Sequence, residues 1–158
     1  MKKILVPIDG SESSKLSIEK AKELAKQFDS ELILLHVVDT FSMQPVLSGA
    51  ASTSSSGMPS VGPAAIVLSG QADERAEENA EQVLESAKAS CSVLGDKVST
   101  VKLAGDPADR IIEYIEDNKG IDLVVMGSQG MSGIRQFFVG SVANKVIKSI
   151  DRSILIVR

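Results

Sequence analysis

The chain has 158 residues, of which 43% are hydrophobic, 3% aromatic and 24% charged, with a net charge of −4 at pH 7. This length is typical of one domain with a substantial core, and the acidic balance and few aromatic side chains argue against binding to nucleic acid. A single cysteine excludes an internal disulfide, and the N-terminus leads directly into a short apolar run. We therefore expect a cytoplasmic protein with neither a signal peptide nor a membrane span.

Short apolar runs alternate with segments of helical spacing along the chain. The runs cover residues 4–8, 31–38, 97–103, 121–126 and 154–157, and the helical segments cover about 18–28, 76–94, 107–120 and 141–149. All the runs except 97–103 are almost continuously apolar, as expected of strands that are buried on both faces. The β-α-β succession predicts an α/β fold in which parallel strands are joined by right-handed helical crossovers.

One uncharged segment interrupts this alternation. Residues 42–70 are rich in serine and glycine and contain three of the five prolines. A connection of this length is either functional or disordered. We expect one domain over residues 1–158 with a flexible insertion at about 42–70, including a short helical piece around 64–68.

Glycines follow the fourth apolar run in a defined spacing. Gly127 and Gly130 are separated by two residues, and Gly140-Ser141 follows at the start of the last helix. Backbone amides at such a turn and the positive end of the helix dipole favour an anion, and glycine permits close approach or positive φ. The pattern predicts a phosphate site, in which the Ser141 hydroxyl caps the helix or donates to a phosphate. A βα turn that merely packs is the alternative.

A second half of the site is predicted where the first run ends. Asp9 lies at the carboxyl end of a buried strand, where ligands bind in open α/β sheets. Its carboxylate suits ribose hydroxyls or a metal ion that carries phosphates. Helix capping by Asp9, Ser11 or Ser13 is the alternative interpretation.

Other catalytic signatures are absent from the sequence. It contains neither a P-loop pattern nor a dinucleotide-binding glycine fingerprint, and one histidine and one cysteine cannot form the usual metal clusters. We interpret His36 as a structural histidine within the second strand and Cys91 as a small core residue on a helix.

These motifs resemble those of the universal stress protein family over almost the whole chain. The resemblance depends on residues 3–11 (KILVPIDGS), 34–38 (LLHVV), 105–107 (GDP), 122–127 (DLVVMG) and the glycine pattern through Val142. It implies a single-domain, open, Rossmann-like sheet of five parallel strands in the order 3-2-1-4-5, with helices on both faces. Because the glycine pattern is intact, the resemblance places the chain with the members that bind ATP.

The resemblance also implies a role for each matching position. Pro7, Ile8 and Asp9 would line the adenosine pocket, and Val37 would contact adenine through its backbone. The ribose and phosphates would contact a second set: Met126, Gly127, Gly130, Gly140, Ser141 and Val142. ADP or AMP is an alternative ligand to ATP, and Mg²⁺ or Mn²⁺ bridging the phosphates, with Asp9 nearby, is a further option.

Three departures from the family pattern affect these expectations. Gln129 stands where relatives often have histidine or arginine, so one charge that faces the phosphates is missing. Residues 151–153 replace a proline-containing turn before the last strand, residues 154–157, through which family members commonly form homodimers. The insertion begins just after Val37, so it would act as a lid over adenine or be disordered.

Three functions follow from these patterns. The resemblance favours a nucleotide-dependent regulatory module of the stress response, with slow ATP hydrolysis at most and no catalytic residue assigned. An enzyme of a related α/β fold that transfers adenylyl groups or hydrolyses ATP is the main alternative. A dimeric stress scaffold without a nucleotide is the third, and the sequence does not identify a downstream protein partner.

Overall fold

The computed structural model describes residues 1–40, 63–129 and 139–158, with side chains of the second helix described from residue 74. Strands and helices alternate along the chain. In order they are β1 (Lys3–Ile8), α1 (Glu12–Phe28), β2 (Glu31–Val38), α2 (Pro63–Ser90), β3 (Val98–Ala104), α3 (Pro107–Asp117), β4 (Leu123–Gly127), α4 (Ser141–Ser149) and β5 (Ser153–Val157), and a short 3-10 segment, Ser92–Lys97, precedes β3.

The five strands form one parallel sheet in the order β3-β2-β1-β4-β5. This confirms the predicted α/β class and strand order. The chain moves outward from β1 to β3 and then returns to β4 on the other side of β1. The connections that leave β1 and β4 therefore diverge, which opens a crevice at the carboxyl ends of these two strands.

Apolar side chains cover both faces of the sheet because side chains alternate along each strand. Ile4 and Val6 of β1 pack with helices α1 and α2, whereas Leu5 packs with helices α3 and α4. The central strands are almost fully buried, which explains why their sequences read as continuous apolar runs. This rigid platform holds the strand ends that border the crevice.

Some boundaries differ from the predictions. Helix α2 begins at Pro63, so the predicted helical piece at 64–68 is observed, but as the start of this longer helix rather than as part of an insertion. Residues 42–62, with the rest of the predicted insertion, lie outside the described residues. The helical stripe 76–94 ends earlier than expected, since Cys91 follows the helix, although it is fully buried as predicted. In α4 the buried residues are Ala143 and Val146, and Ile147 is 40% exposed.

Within the described ranges, no helix is both long enough and apolar enough to cross a lipid bilayer.

Candidate functional site

A pocket of about 230 Å³ lies at the carboxyl ends of β1 and β4. Ten of the eleven predicted site residues border it, and Gly130 lies outside the described residues. The ten are Pro7, Ile8, Asp9, Val37, Met126, Gly127, Gln129, Gly140, Ser141 and Val142. Residues that are far apart in the sequence are thus brought to one crevice by the strand order.

The turn after β1 gives Asp9 a defined place. Its Oδ1 accepts a hydrogen bond from the backbone N–H of Ser11 at 3.0 Å. Ser11, not Asp9, caps helix α1, because its Oγ accepts from the Ser14 amide at 3.2 Å. Ser11 is therefore the capping residue. Asp9 is fixed by the hydrogen bond within its turn, and it lines the pocket.

His36 stabilises this turn through a hydrogen bond to the end of β1. Its ring is buried, and Nδ1 donates to the carbonyl of Ile8 at 2.8 Å. Ile8 lines the pocket and immediately precedes Asp9, whereas His36 itself does not line it. As predicted, His36 is a structural histidine, and it fixes the end of β1.

Gly127 satisfies a packing requirement. A Cβ at this position would lie 2.9 Å from the carbonyl carbon of Ser13, closer than real Cβ atoms come to a backbone atom. The start of α1 therefore packs directly on the end of β4. Neither Gly127 nor Gly140 has positive φ, so that part of the reasoning on the glycine pattern is wrong for these two positions.

Ser128, which follows β4, forms backbone hydrogen bonds to the end of β5 and to the start of α4. The Ser128 amide donates to the carbonyl of Val157 at 2.8 Å, and its carbonyl accepts from the Gly140 amide at 2.7 Å. The amide of Gln129 lies 3.5 Å from Ser13 Oγ. These bonds place the N-terminus of α4 beside the ends of β4 and β5.

Helix α4 begins without a side-chain cap. Gly140 is its N-cap residue, and no side-chain hydrogen bond satisfies the first turn within the described residues. In contrast, the first turns of α1 and α3 are capped by Ser11 and Asp106. The first helical bond is donated by Asn144 to Gly140, so the amides of residues 141–143 precede it and face the pocket end of the helix.

The predicted capping by Ser141 is not observed. Ser141 is the first helical residue and its side chain is exposed at the pocket. Its hydroxyl therefore lies beside the uncapped amides rather than satisfying them.

Apolar side chains form a large part of the pocket lining, called the apolar wall below. Leu35 and Val37 of β2, Ile111 of α3, Met126 of β4 and Val142 of α4 contribute to it. Among the described lining residues, Asp9 is the one with an ionisable side chain. The pocket thus combines a surface suited to a flat apolar group with a rim of backbone amides.

Sequence reasoning missed six lining residues: Ser14, Leu35, Pro107, Ile111, Ser128 and Ala143. A signal existed for two of them. Leu35 lies two positions before Val37 and so shares its face of β2, and Pro107 begins the helix that follows β3 at the same edge of the sheet. The other four depend on how the helices pack.

A metal site made by protein side chains alone is not found in the described part of the chain. No three His, Cys, Asp or Glu residues come together there. A cation near Asp9 would need oxygen ligands from a bound phosphate chain. One carboxylate is nevertheless a donor set that suits Mg²⁺ carried by a nucleotide.

Comparison with known proteins gives consistent results. The sequence profile of the universal stress protein family matches residues 1–158. Universal stress protein MJ0531 of Methanocaldococcus jannaschii is 33% identical over 157 residues, covering 99% of this chain and 82% of that protein. The structure of MJ0577, from the same organism, superposes with a TM-score of 0.76 at 27% identity, covering 99% of this chain and 94% of that one.

A more distant neighbour carries a ligand. A protein of the same family from Arabidopsis thaliana, solved with AMP bound, has a TM-score of 0.65 at 18% identity, covering 99% of this chain and 91% of that chain. At this identity the likeness shows the fold.

Proposed function

Since the chain belongs to the universal stress protein family, we propose that its pocket binds an adenine nucleotide, with ATP as the expected ligand and ADP or AMP as alternatives. The uncapped N-terminus of α4 at the pocket carries this proposal. Three adjacent amides and the positive end of the helix dipole suit the phosphate chain. The Ser141 hydroxyl would donate a further hydrogen bond.

The apolar wall suits the adenine ring, and the end of β2 offers it polar groups. The carbonyl of Val38 accepts from Gly105 on the β3 side. Because peptide groups of successive strand residues point to opposite edges, those of Val37 point towards β1. The last residue of β1, Ile8, pairs with His36, so the carbonyl of Val37 faces the crevice beyond the strand end.

The ribose would lie between these two regions. Asp9 is the charged group of the described lining, and its position beside Ile8 and Gly127 suits a carboxylate that accepts from sugar hydroxyls. Where Mg²⁺ or Mn²⁺ accompanies the nucleotide, Asp9 would be its protein ligand. The AMP bound to the A. thaliana protein supports an adenine nucleotide for this fold.

We favour a regulatory module over an efficient enzyme. Phosphoryl transfer depends on positioned cations and an oriented nucleophile. The described lining contributes neither lysine, arginine nor histidine, and His36 is bound to a backbone carbonyl. Slow hydrolysis is compatible with such a site.

We propose that nucleotide state acts through a homodimer formed by β5. This strand is an edge of the sheet, and Ile154, Leu155, Ile156 and Val157 are each only partly buried. An apolar edge strand needs a partner or cover. A second copy paired along β5 would lie next to Val157, whose carbonyl holds Ser128 of the pocket. Light scattering on Leu155→Lys and the wild type, with and without nucleotide, tests this arrangement.

Melting the purified protein with and without MgATP tests the function. At a ligand concentration about 100 times Kd, a ligand that binds only the folded state adds about 2.7 kcal/mol, which is a rise of roughly 5–10 °C for this size. GTP and adenosine are tested in the same melting assay as comparison ligands. No shift with any adenine nucleotide would favour the scaffold without ligand. A shift accompanied by rapid release of AMP and pyrophosphate would favour the enzyme.

A further inference from the structure

Lys145 connects helices α3 and α4, whose first residues, Pro107 and Ser141, line the pocket. Its Nζ lies 2.7 Å from Oδ1 of Asp109 and 3.4 Å from Oδ1 of Asp106, both in or before the first turn of α3. The same Oδ1 of Asp106 accepts from the Asp109 amide at 2.9 Å. Lys145 is therefore shared by two carboxylates at the start of α3 and offsets one of their two negative charges.

This cluster is close to the proposed phosphate site. Lys145 is four residues after Ser141, which is about 6 Å along the helix axis. On the other side of the cluster, Pro107 follows Asp106 directly and lines the pocket. This separation along the helix is shorter than the Debye length at physiological salt, which is about 8 Å, so salt only partly screens the charge of the cluster at the helix N-terminus.

Hydrogen bonds within the cluster favour the charged forms of Lys145 and Asp106. The hydrogen bond to Asp109 holds the pKa of Lys145 above its ordinary value. The bond from the Asp109 amide, assisted by the charge of Lys145, holds the pKa of Asp106 below its ordinary value. Counting formal charges, the cluster of Lys145, Asp106 and Asp109 carries −1 with Lys145 and −2 without it.

We propose that Lys145 is a positioning residue that balances the acids of α3, so that the N-terminus of α4 stays attractive to a phosphate chain. The proposal rests on the nucleotide-binding function above. The site would hold phosphates with backbone amides. Two uncompensated carboxylates near these amides would repel the negatively charged phosphate chain. Without Lys145, the loss of binding affinity would increase with the negative charge of the ligand.

A purely stabilising role for the ion pairs is the competing explanation. The side chains of Lys145, Asp106 and Asp109 are about half exposed, at 48%, 43% and 55%. Ion pairs of this exposure contribute little to folding stability. Loss of Lys145 should therefore change binding of the charged ligands more than it changes the melting temperature.

Calorimetric titration of Lys145→Met with adenosine, AMP and MgATP tests the proposal. We expect Kd for ATP to rise about fivefold, Kd for AMP to rise less, and Kd for adenosine to change by less than twofold. High salt should reduce the effect on ATP. Lys145→Arg should bind as the wild type does. Lys148→Met, the same charge change in the last turn of α4, is the matched control and should also bind like wild type.

A double variant separates charge from packing. Adding Asp109→Asn to Lys145→Met returns the cluster to a charge of −1 without restoring the link between the helices. Recovery of ATP affinity supports charge balance. Equal losses for adenosine and ATP, or no recovery in the double variant, would overturn it while leaving nucleotide binding by the wild type intact. A wild type that binds neither adenosine nor ATP would overturn both proposals.

Discussion

Replacing Gly140 by aspartate should make the protein more stable and at the same time weaken its binding of nucleotide phosphates. Gly140 has φ −57° and ψ 160°, a conformation that L-residues adopt readily. An aspartate at an N-cap accepts a hydrogen bond from the second or third helical amide. Here these are the amides of Val142 and Ala143, which we propose hold the phosphates. The new side chain would occupy the same donors and add a negative charge.

The two effects differ in size. An aspartate cap is better than glycine by a few tenths of a kcal/mol, and its charge at the positive end of the helix adds about 0.3–1 kcal/mol. A gain of about 1 kcal/mol raises Tm by roughly 2–4 °C in a domain of this length. Hydrogen bonds to charged groups contribute about 1.5–3 kcal/mol, so losing one costs roughly 10- to 100-fold in affinity for ATP.

Thermal melting and calorimetric titration of three variants provide the measurement. Gly140→Ala adds a Cβ without a cap, and Gly140→Asn adds a cap without a charge. Affinity for MgATP should decrease from wild type through alanine and asparagine to aspartate, whereas stability should be higher with asparagine and aspartate than with alanine. An aspartate variant that is stabilised and still binds ATP as tightly as the wild type would refute the phosphate position.

Three further variants test the framework of the site. Gly127→Ala should lower the free energy of unfolding by about 1–3 kcal/mol in urea, because its Cβ would overlap the Ser13 backbone; unchanged stability would contradict the close contact. His36→Leu removes the donor to the buried carbonyl of Ile8 and should cost about 1–3 kcal/mol, measured by denaturant unfolding against His36→Gln, which can retain a donor. Asp122 accepts hydrogen bonds from two backbone amides near the N-terminus, and these lower its pKa below the ordinary value of 3.8. Its stabilisation is complete above that value and is lost as pH falls through the folded pKa. The Tm difference between wild type and Asp122→Asn should therefore be full at pH 6 and narrow in acid, and a gap independent of pH would be inconsistent with this role.

The strands were predictable because burial on both faces leaves a direct trace in sequence. The predicted strand at residues 31–38 coincides with β2, since every position but two is fully buried and no polar residue interrupts its interior except His36. The predicted start and end of α4 are also observed. In β3, at the other edge of the sheet, four of the seven residues are exposed, and its predicted bounds are shifted by one residue.

The limits of helix α2 were not predictable in the same way. An apolar stripe identifies a helix where it packs on the sheet, and the described buried positions of α2 begin at Ala80. Residues 63–70 carry no charge and no regular stripe, so the sequence predicted only a short helical piece around 64–68 within a flexible insertion. Where no apolar stripe is present, the sequence gives little local signal for where a helix starts.

The position of the pocket could be predicted from backbone motifs, whereas several of its lining residues could not. Strand ends and a glycine turn are local features, and their meeting at one crevice follows from strand order. Ile111 and Ala143, in contrast, enter the pocket only because α3 and α4 pack together across the second face of the sheet. Apolar residues on a helix predict burial but not which neighbour they meet.

The start of α4 shows why a departure from local rules was informative. Serine is among the best N-cap residues, and Ser141 stands one position beyond the place where it could cap. With glycine in that place, no side chain of the described residues accepts from the first amides of α4, whereas Ser11 and Asp106 each accept from one amide in the first turns of α1 and α3. Real proteins tend to break one local rule at a functional site and compensate elsewhere. Here Ser128 compensates, because its bonds to Val157 and Gly140 hold the uncapped end in place, so the helix can begin without a cap of its own.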